Sequence, residues 1–161
     1  MTSPPDPARG PRVGFPPPLL FVGGLGVALL LDRWLAFSID GEGAGFAQTA
    51  IGILLVLAGL SLMIWGIATF LLARTAIYPN RSARQCVTTG PFRFTRNPMY
   101  VGLTIAYVGA AIVLNAVWPF VLLPVVLLLL LVLVIRKEER YLQQEFGEAY
   151  VRYCRRVRRW M

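Results

Sequence analysis

The sequence contains no histidine, two cysteines (Cys86 and Cys154), and 8 acidic residues against 16 Lys and Arg. Without histidine, no side chain of unperturbed pKa titrates near neutrality, so imidazole acid–base chemistry is excluded. Two thiols and no imidazole are also too few for a four-ligand structural zinc site. Charge is scarce: 15% of the 161 residues are Asp, Glu, Lys or Arg, confined to short blocks between apolar runs. That pattern does not make a water-facing surface all round.

What fills the sequence is apolar residues, 57% of the total, with a mean hydropathy of +0.62. A hydrocarbon layer of about 30 Å takes about 20 apolar residues per helix. Four runs qualify, at about 15–31, 47–73, 99–115 and 118–135. The expected fold is therefore all-α: a polytopic membrane protein with four transmembrane helices, and a tight turn over Asn115 to Pro119. A soluble helical core is the alternative, but VLLPVVLLLLLVLVI leaves no polar face for water. Pro124 within that run is tolerable, because neighbouring groups can satisfy the freed carbonyl.

Basic residues orient the spans. Arg9 and Arg12 precede the first, Arg33 faces Asp32, Asp40 and Glu42 in loop one, and Arg74, Arg81, Arg84, Arg93 and Arg96 lie in loop two (74–98). Loop three has none, and the tail has eight from Arg136 to Arg159. Both termini and loop two are thus expected in the cytoplasm, in a multi-pass protein of a bacterial-type cytoplasmic membrane. Both cysteines then sit on the reducing side as free thiols. The net charge of +8 is directed at anionic lipid rather than nucleic acid, which would need a soluble basic surface. Residues 1–14 form a Pro-rich leader, expected to be disordered and to carry no cleavable signal. Residues 15–161 form a single domain, of open oligomeric state.

Gly45, Gly52, Gly59 and Gly66 recur every seven residues, as do Gly102 and Gly109. Small residues on one helix face allow close backbone approach in lipid, and plain helix packing is favoured over a substrate groove. In the tail, 136–161, Leu142, Phe146, Tyr150, Tyr153, Val157 and Trp160 fall at helical spacing among arginines. This reads as a basic amphipathic segment at the cytoplasmic interface, divided at Gly147. A membrane anchor does not account for Glu138 and Glu139. Pairing with Arg136, Lys137 or Arg140 would. Because spans three and four form a hairpin, Asn97 to Tyr100 and Glu138 are expected to emerge together at one membrane surface.

The combination TTGPFRFTRNPMYVG, a short-turn helical hairpin and EERYLQQEFGEAYVRYCRRVRRW resembles the isoprenylcysteine carboxyl methyltransferase family, integral-membrane enzymes related to phospholipid methyltransferases and to some sterol reductases. It covers roughly Val87 to Trp160. The resemblance implies S-adenosylmethionine bound at the cytoplasmic end of the hairpin under the tail, and a hydrophobic or lipid-like acceptor entering from the bilayer. Carried over by position, Gln85, Cys86 and Val87 line the adenosine side. Phe92 takes the place of an aromatic near the cofactor, Asn97, Pro98, Met99 and Tyr100 take the His-Pro-x-Tyr place, and Glu138 takes that of the cofactor-binding Glu. Arg96 matches the family Arg and could instead brace the loop. Asn97 stands where the family has His, so it hydrogen-bonds without titrating. Val134 stands four residues before Glu138, where members that methylate a prenylcysteine carboxylate place Arg.

The function expected is methyl transfer at the cytoplasmic membrane face, with Glu138 hydrogen-bonding the cofactor and Tyr100 beside the sulfonium. The nucleophile is not visible in the sequence. Arg158 and Arg159 are expected to lie outside the site. The alternatives are an NADPH-dependent reductase of the sterol-reductase type and a non-catalytic membrane scaffold.

Overall fold

In the computed structural model, residues 13–41, 43–73 and 86–160 are described, and among them there are helices and loops but no strand. Helix α1 is Pro18–Trp34, α2 is Phe46–Leu72, α3 is Pro98–Val113 and α4 is Trp118–Leu130. A π-helical turn, Leu131–Ile135, joins α4 to α5, Arg136–Phe146, and α6 is Glu148–Arg156. Prolines at the starts of α1, α3 and α4 suit the first helical turn, where a missing N–H leaves nothing unpaired.

Two helices are long and apolar enough to cross a membrane: α2, and the continuous helix Trp118–Phe146. The other two expected spans are shorter, at 17 residues in α1 and 16 in α3. The fourth run does not stop at 135, because the π-helical turn carries it unbroken into α5. The exposed surface agrees with a membrane setting. Val22, Leu30, Leu54, Ile64 and Leu128 are exposed on α1, α2 and α4, a distribution that lipid accepts and water disfavours.

The glycine spacing places α2 against α3, antiparallel. A Cβ on Gly102 would lie 2.5 Å from the Gly59 carbonyl oxygen, and one on Gly109 would lie 2.6 Å from the Gly52 carbonyl oxygen. Backbone thus meets backbone, with no side chain between. Farther along, a Cβ on Gly66 would meet Met99 Cγ at 2.9 Å, whereas Gly45 caps the start of α2 and has nothing within 4 Å.

Helix α1 lies on α4, and between α1, α3 and α4 runs the buried core of Phe21, Tyr100, Tyr107, Val126, Leu130, Val134 and Ile135. Val13 joins it, 1% exposed. Val13 falls at the end of the segment assigned to the leader, 1–14, and packs there because its apolar side chain meets the core. Residues 1–12 lie outside the described residues.

At the end of the bundle away from Tyr100, the turn between α3 and α4 is held by Asn115 in the left-handed region (φ 51). Its side-chain oxygen accepts from the Asp40 N–H and from Gln48 Nε2, both at 3.0 Å, and its Nδ2 donates to the Asp40 carbonyl at 2.8 Å. Trp118 Nε1 adds a bond to the Leu35 carbonyl at 2.6 Å. One amide thus ties the α1–α2 loop to the α3–α4 turn. Gly147, also at φ 51, ends α5 and starts α6.

Two outcomes follow for thermal unfolding in detergent. Gly59→Ala destabilises by about 1–3 kcal/mol, the usual range for overpacking, while Gly26→Ala, inside α1 with nothing near its Cβ position, is neutral or gains up to about 1 kcal/mol of helix propensity. Asn115→Ala loses its hydrogen bonds and its tolerance of positive φ together, and Asn115→Gly recovers only the second part. Equal losses for the alanine and glycine variants would show that backbone conformation contributes nothing there.

Candidate functional site

The antiparallel hairpin returns the end of α4 to the level where α3 begins, and the π-helical turn acts at that level. A π-helical turn accommodates one extra residue. Since each helical residue advances about 100°, the helix beyond it is rotated relative to an uninterrupted α-helix. Val134 and Ile135 then point into the core, and the next two acidic side chains face α3 and the segment leading to it.

Glu138 and Glu139 divide at this point. Tyr100, buried at 7% exposure, donates its hydroxyl to Glu138 Oε1 at 2.7 Å. Glu139 instead takes two arginines. Arg159 approaches it through two bonds, Nε to Oε1 at 2.8 Å and Nη2 to Oε2 at 2.7 Å, and Arg96 Nη1 lies 3.1 Å from Oε1. Neither carboxylate pairs with Arg136, Lys137 or Arg140, which share α5 with them; Tyr100 takes the one and Arg96 with Arg159 the other.

The tail closes over the segment before α3. Arg96 N–H donates to the Arg158 carbonyl at 3.0 Å, while Thr95 Oγ1 and Asn97 Nδ2 both donate to the Arg159 carbonyl, at 3.1 and 3.0 Å. Tyr153 of α6 donates its hydroxyl to the Phe92 carbonyl at 2.7 Å. Tyr150 and Tyr153 are buried, so the aromatic face of α6 packs on protein rather than lying wholly on lipid. Arg159, expected outside the site, is one of its braces. Arg96 is another: beyond Glu139, its Nη1 reaches Cys154 Sγ at 2.9 Å, while its Nε is buried without a partner.

Of the residues singled out in sequence, Tyr100 and Glu138 come together directly. Gln85 lies outside the described residues, and Cys86 and Val87 are half-buried just before the turn. That turn is made by Gly90 at φ 58 and a 3-10 segment, Gly90–Arg93. Phe92, in the place of an aromatic near the cofactor, is 5% exposed and packs its ring against Phe70 of α2, centroids 4.8 Å apart. Pro98 is fully buried, and Met99 faces Gly66 of α2, not Glu138, since adjacent helical residues diverge by about 100°. Asn97 commits its amide to the tail, so in place of a titrating group the site has a brace. Val134 is fully buried in the apolar core.

Electrostatics keep the phenols of α6 neutral. Burial first, then the neighbouring Cys86 thiol, push Tyr153 well above its ordinary value, with Arg96 pulling partly back. Burial and Cys154 do the same to Tyr150. Burial also raises the Cys86 thiol. A thiol held neutral is a poor nucleophile. The hydrogen bonds that Arg159 donates to Glu139 raise its pKa further and keep it charged.

Residues 47–149, from α2 to the first residues of α6, match the phospholipid methyltransferase family. The chain therefore belongs to that family of integral-membrane methyltransferases. No curated protein and no solved structure shows a significant match. The match stops before Tyr153 and Arg159, whose contacts with the loop are visible only in the fold.

The ion cluster gives a direct test. Glu139→Ala leaves Arg96 and Arg159 without their shared acceptor. With exposures of 18% for Glu139, 16% for Arg96 and 37% for Arg159, the loss falls between that of surface and buried pairs, about 1–3 kcal/mol. Thermal unfolding at low and high salt measures it, and a stability unchanged from wild type would show that the cluster does not hold the tail.

Proposed function

We propose that this protein transfers a methyl group from S-adenosylmethionine to a hydrophobic or lipid-like acceptor at a membrane surface. The observation that carries the reading is the 2.7 Å bond from Tyr100 to Glu138 where α3 and the hairpin's returning helix meet, in a chain of a methyltransferase family. The donor chemistry fits the cofactor, which is cationic at its sulfonium and amino groups. Glu138 would hold it through an amino or hydroxyl group, with Tyr100 fixing the carboxylate and presenting its ring. When bound, the cofactor supplies an already activated methyl group. The chain must then align the acceptor and exclude water. The tail, pinned through Arg158 and Arg159, would serve the second need. Asn97 would keep the loop in register rather than move a proton. Fully buried Val134 leaves no cation at that position for an acceptor carboxylate.

The topology proposed with it has four spans, α1 and α3 being the short ones, and the termini and the Tyr100–Glu138 site at the cytoplasmic surface. The exposed arginines Arg152, Arg155, Arg156 and Arg158 would attract anionic lipid there.

Titration of the detergent-purified protein with S-adenosylhomocysteine, followed by thermal stability, tests the cofactor assignment, because a ligand of the folded state raises it. Glu138→Gln and Tyr100→Phe should each weaken binding by about tenfold, the equivalent of about 1.4 kcal/mol. Stabilisation by NADPH instead of S-adenosylhomocysteine would replace the assignment with a reductase.

A further inference from the structure

Apolar side chains crowd the surface at the end of the bundle away from Tyr100. Trp34, the last residue of α1, is 84% exposed, Phe46, the first of α2, is 92% exposed, and Leu35, Phe37 and Ile39 between them are exposed as well. Hydrogen bonds place all five at one level. The Leu35 carbonyl accepts from Trp118 Nε1, the Phe37 carbonyl accepts from the Val117 N–H at 3.0 Å, and the Ile39 N–H donates to the Asn115 carbonyl at 3.3 Å. Phe46 stands two residues before Gln48, whose amide reaches Asn115 and the Ile112 carbonyl. Trp118 joins the band, its ring in edge contact with Phe37, centroids 6.1 Å apart.

An apolar patch of this kind marks a surface that something apolar covers. Two further observations say that lipid covers it. The first is the backbone of the loop: the N–H groups of Leu35, Phe37, Ile39 and Asp40 and the carbonyls of Leu35, Phe37 and Asp40 all find partners within the protein. A segment that sinks among lipids needs this, because water is too scarce there to pair main-chain groups. The second is helix length. At 1.5 Å per residue, the 17 residues of α1 and the 16 of α3 rise about 24–26 Å, about 5 Å short of a hydrocarbon layer of about 30 Å. With the Tyr100 end at one surface, the far end stops inside the opposite leaflet.

We propose that this end of the molecule is a lipid-inserting surface: Trp34, Leu35, Phe37, Ile39 and Phe46 enter the boundary between headgroups and acyl chains of the leaflet opposite the Tyr100–Glu138 site. Its partner is zwitterionic phospholipid, unlike that of the basic tail. Asp32 and Asp40 outnumber Arg33 here, so apolar burial rather than charge draws the loop in. The inserted band then fixes the depth of the bundle from the far side. This holds whatever cofactor the Tyr100–Glu138 site binds.

Tryptophan emission of the full chain in phosphatidylcholine vesicles tests it, with two quenchers: the same lipid brominated along its acyl chains, and iodide present on both sides of the membrane. Trp34→Phe should remove a component of the emission that brominated lipid quenches more strongly than iodide does. Phe46→Trp, made in the wild-type chain, should add a second component of the same kind, and neither should respond to added sodium chloride or phosphatidylglycerol. Stronger quenching of these components by iodide would place the loop in water and overturn the proposal. Loss of the lipid quenching in high salt would overturn it by making charge the attraction, and protection from both quenchers would do so by putting protein, such as a second copy, over the band.

Discussion

The contact on which the rest depends is that of bare backbone between α2 and α3. At Gly52 with Gly109, and Gly59 with Gly102, each helix puts its main chain where a partner's side chain would otherwise be. In lipid no hydrophobic driving force pushes helices together, so dispersion at such short range supplies the association. The pairing also sets how far α3 slides along α2, and with it the height at which Pro98 begins the helix. Tyr100 faces Glu138 only at that height.

A second constraint acts on the other side of the site. Continuing α4 as an uninterrupted α-helix would present Glu138 and Glu139 at a different angle, and the π-helical turn over Leu131–Ile135 resets it. The two carboxylates then do separate things. One meets a phenol on a membrane helix, and the other gathers Arg96 and Arg159 from segments distant in sequence. The site is made rigid by an ion cluster that it does not itself contain.

Much of this was legible in sequence because it depends on periodicity. The seven-residue glycine spacing, the turn at Asn115, the break at Gly147 and the meeting of Tyr100 with Glu138 all follow from counting residues along helices and folding one hairpin. What escaped depends on angle or on distant pairing. No composition marks the π-helical turn, since LVLVI reads the same in either helix type. That Phe92 packs against Phe70 is a choice made by neighbours in space. Arg159 looked like one basic residue among many because its partners are a carboxylate 20 residues before it and the side chains of Thr95 and Asn97, more than 60 residues before it. Val13 reached the core from a Pro-rich stretch by the same kind of pairing.

The joint between the loop and the tail is built mainly on main-chain oxygens. Thr95, Arg96 and Asn97 donate to the carbonyls of Arg158 and Arg159, and Tyr153 donates to the carbonyl of Phe92. A carbonyl is present whatever side chain stands beside it, so Arg158 can drift to other residues over evolutionary time with the joint intact. Spacing has no such freedom. One residue gained or lost between Gly147 and Arg159 would offer every donor the wrong oxygen, so across relatives that close the site this way the tail should vary in letters and hold constant in length.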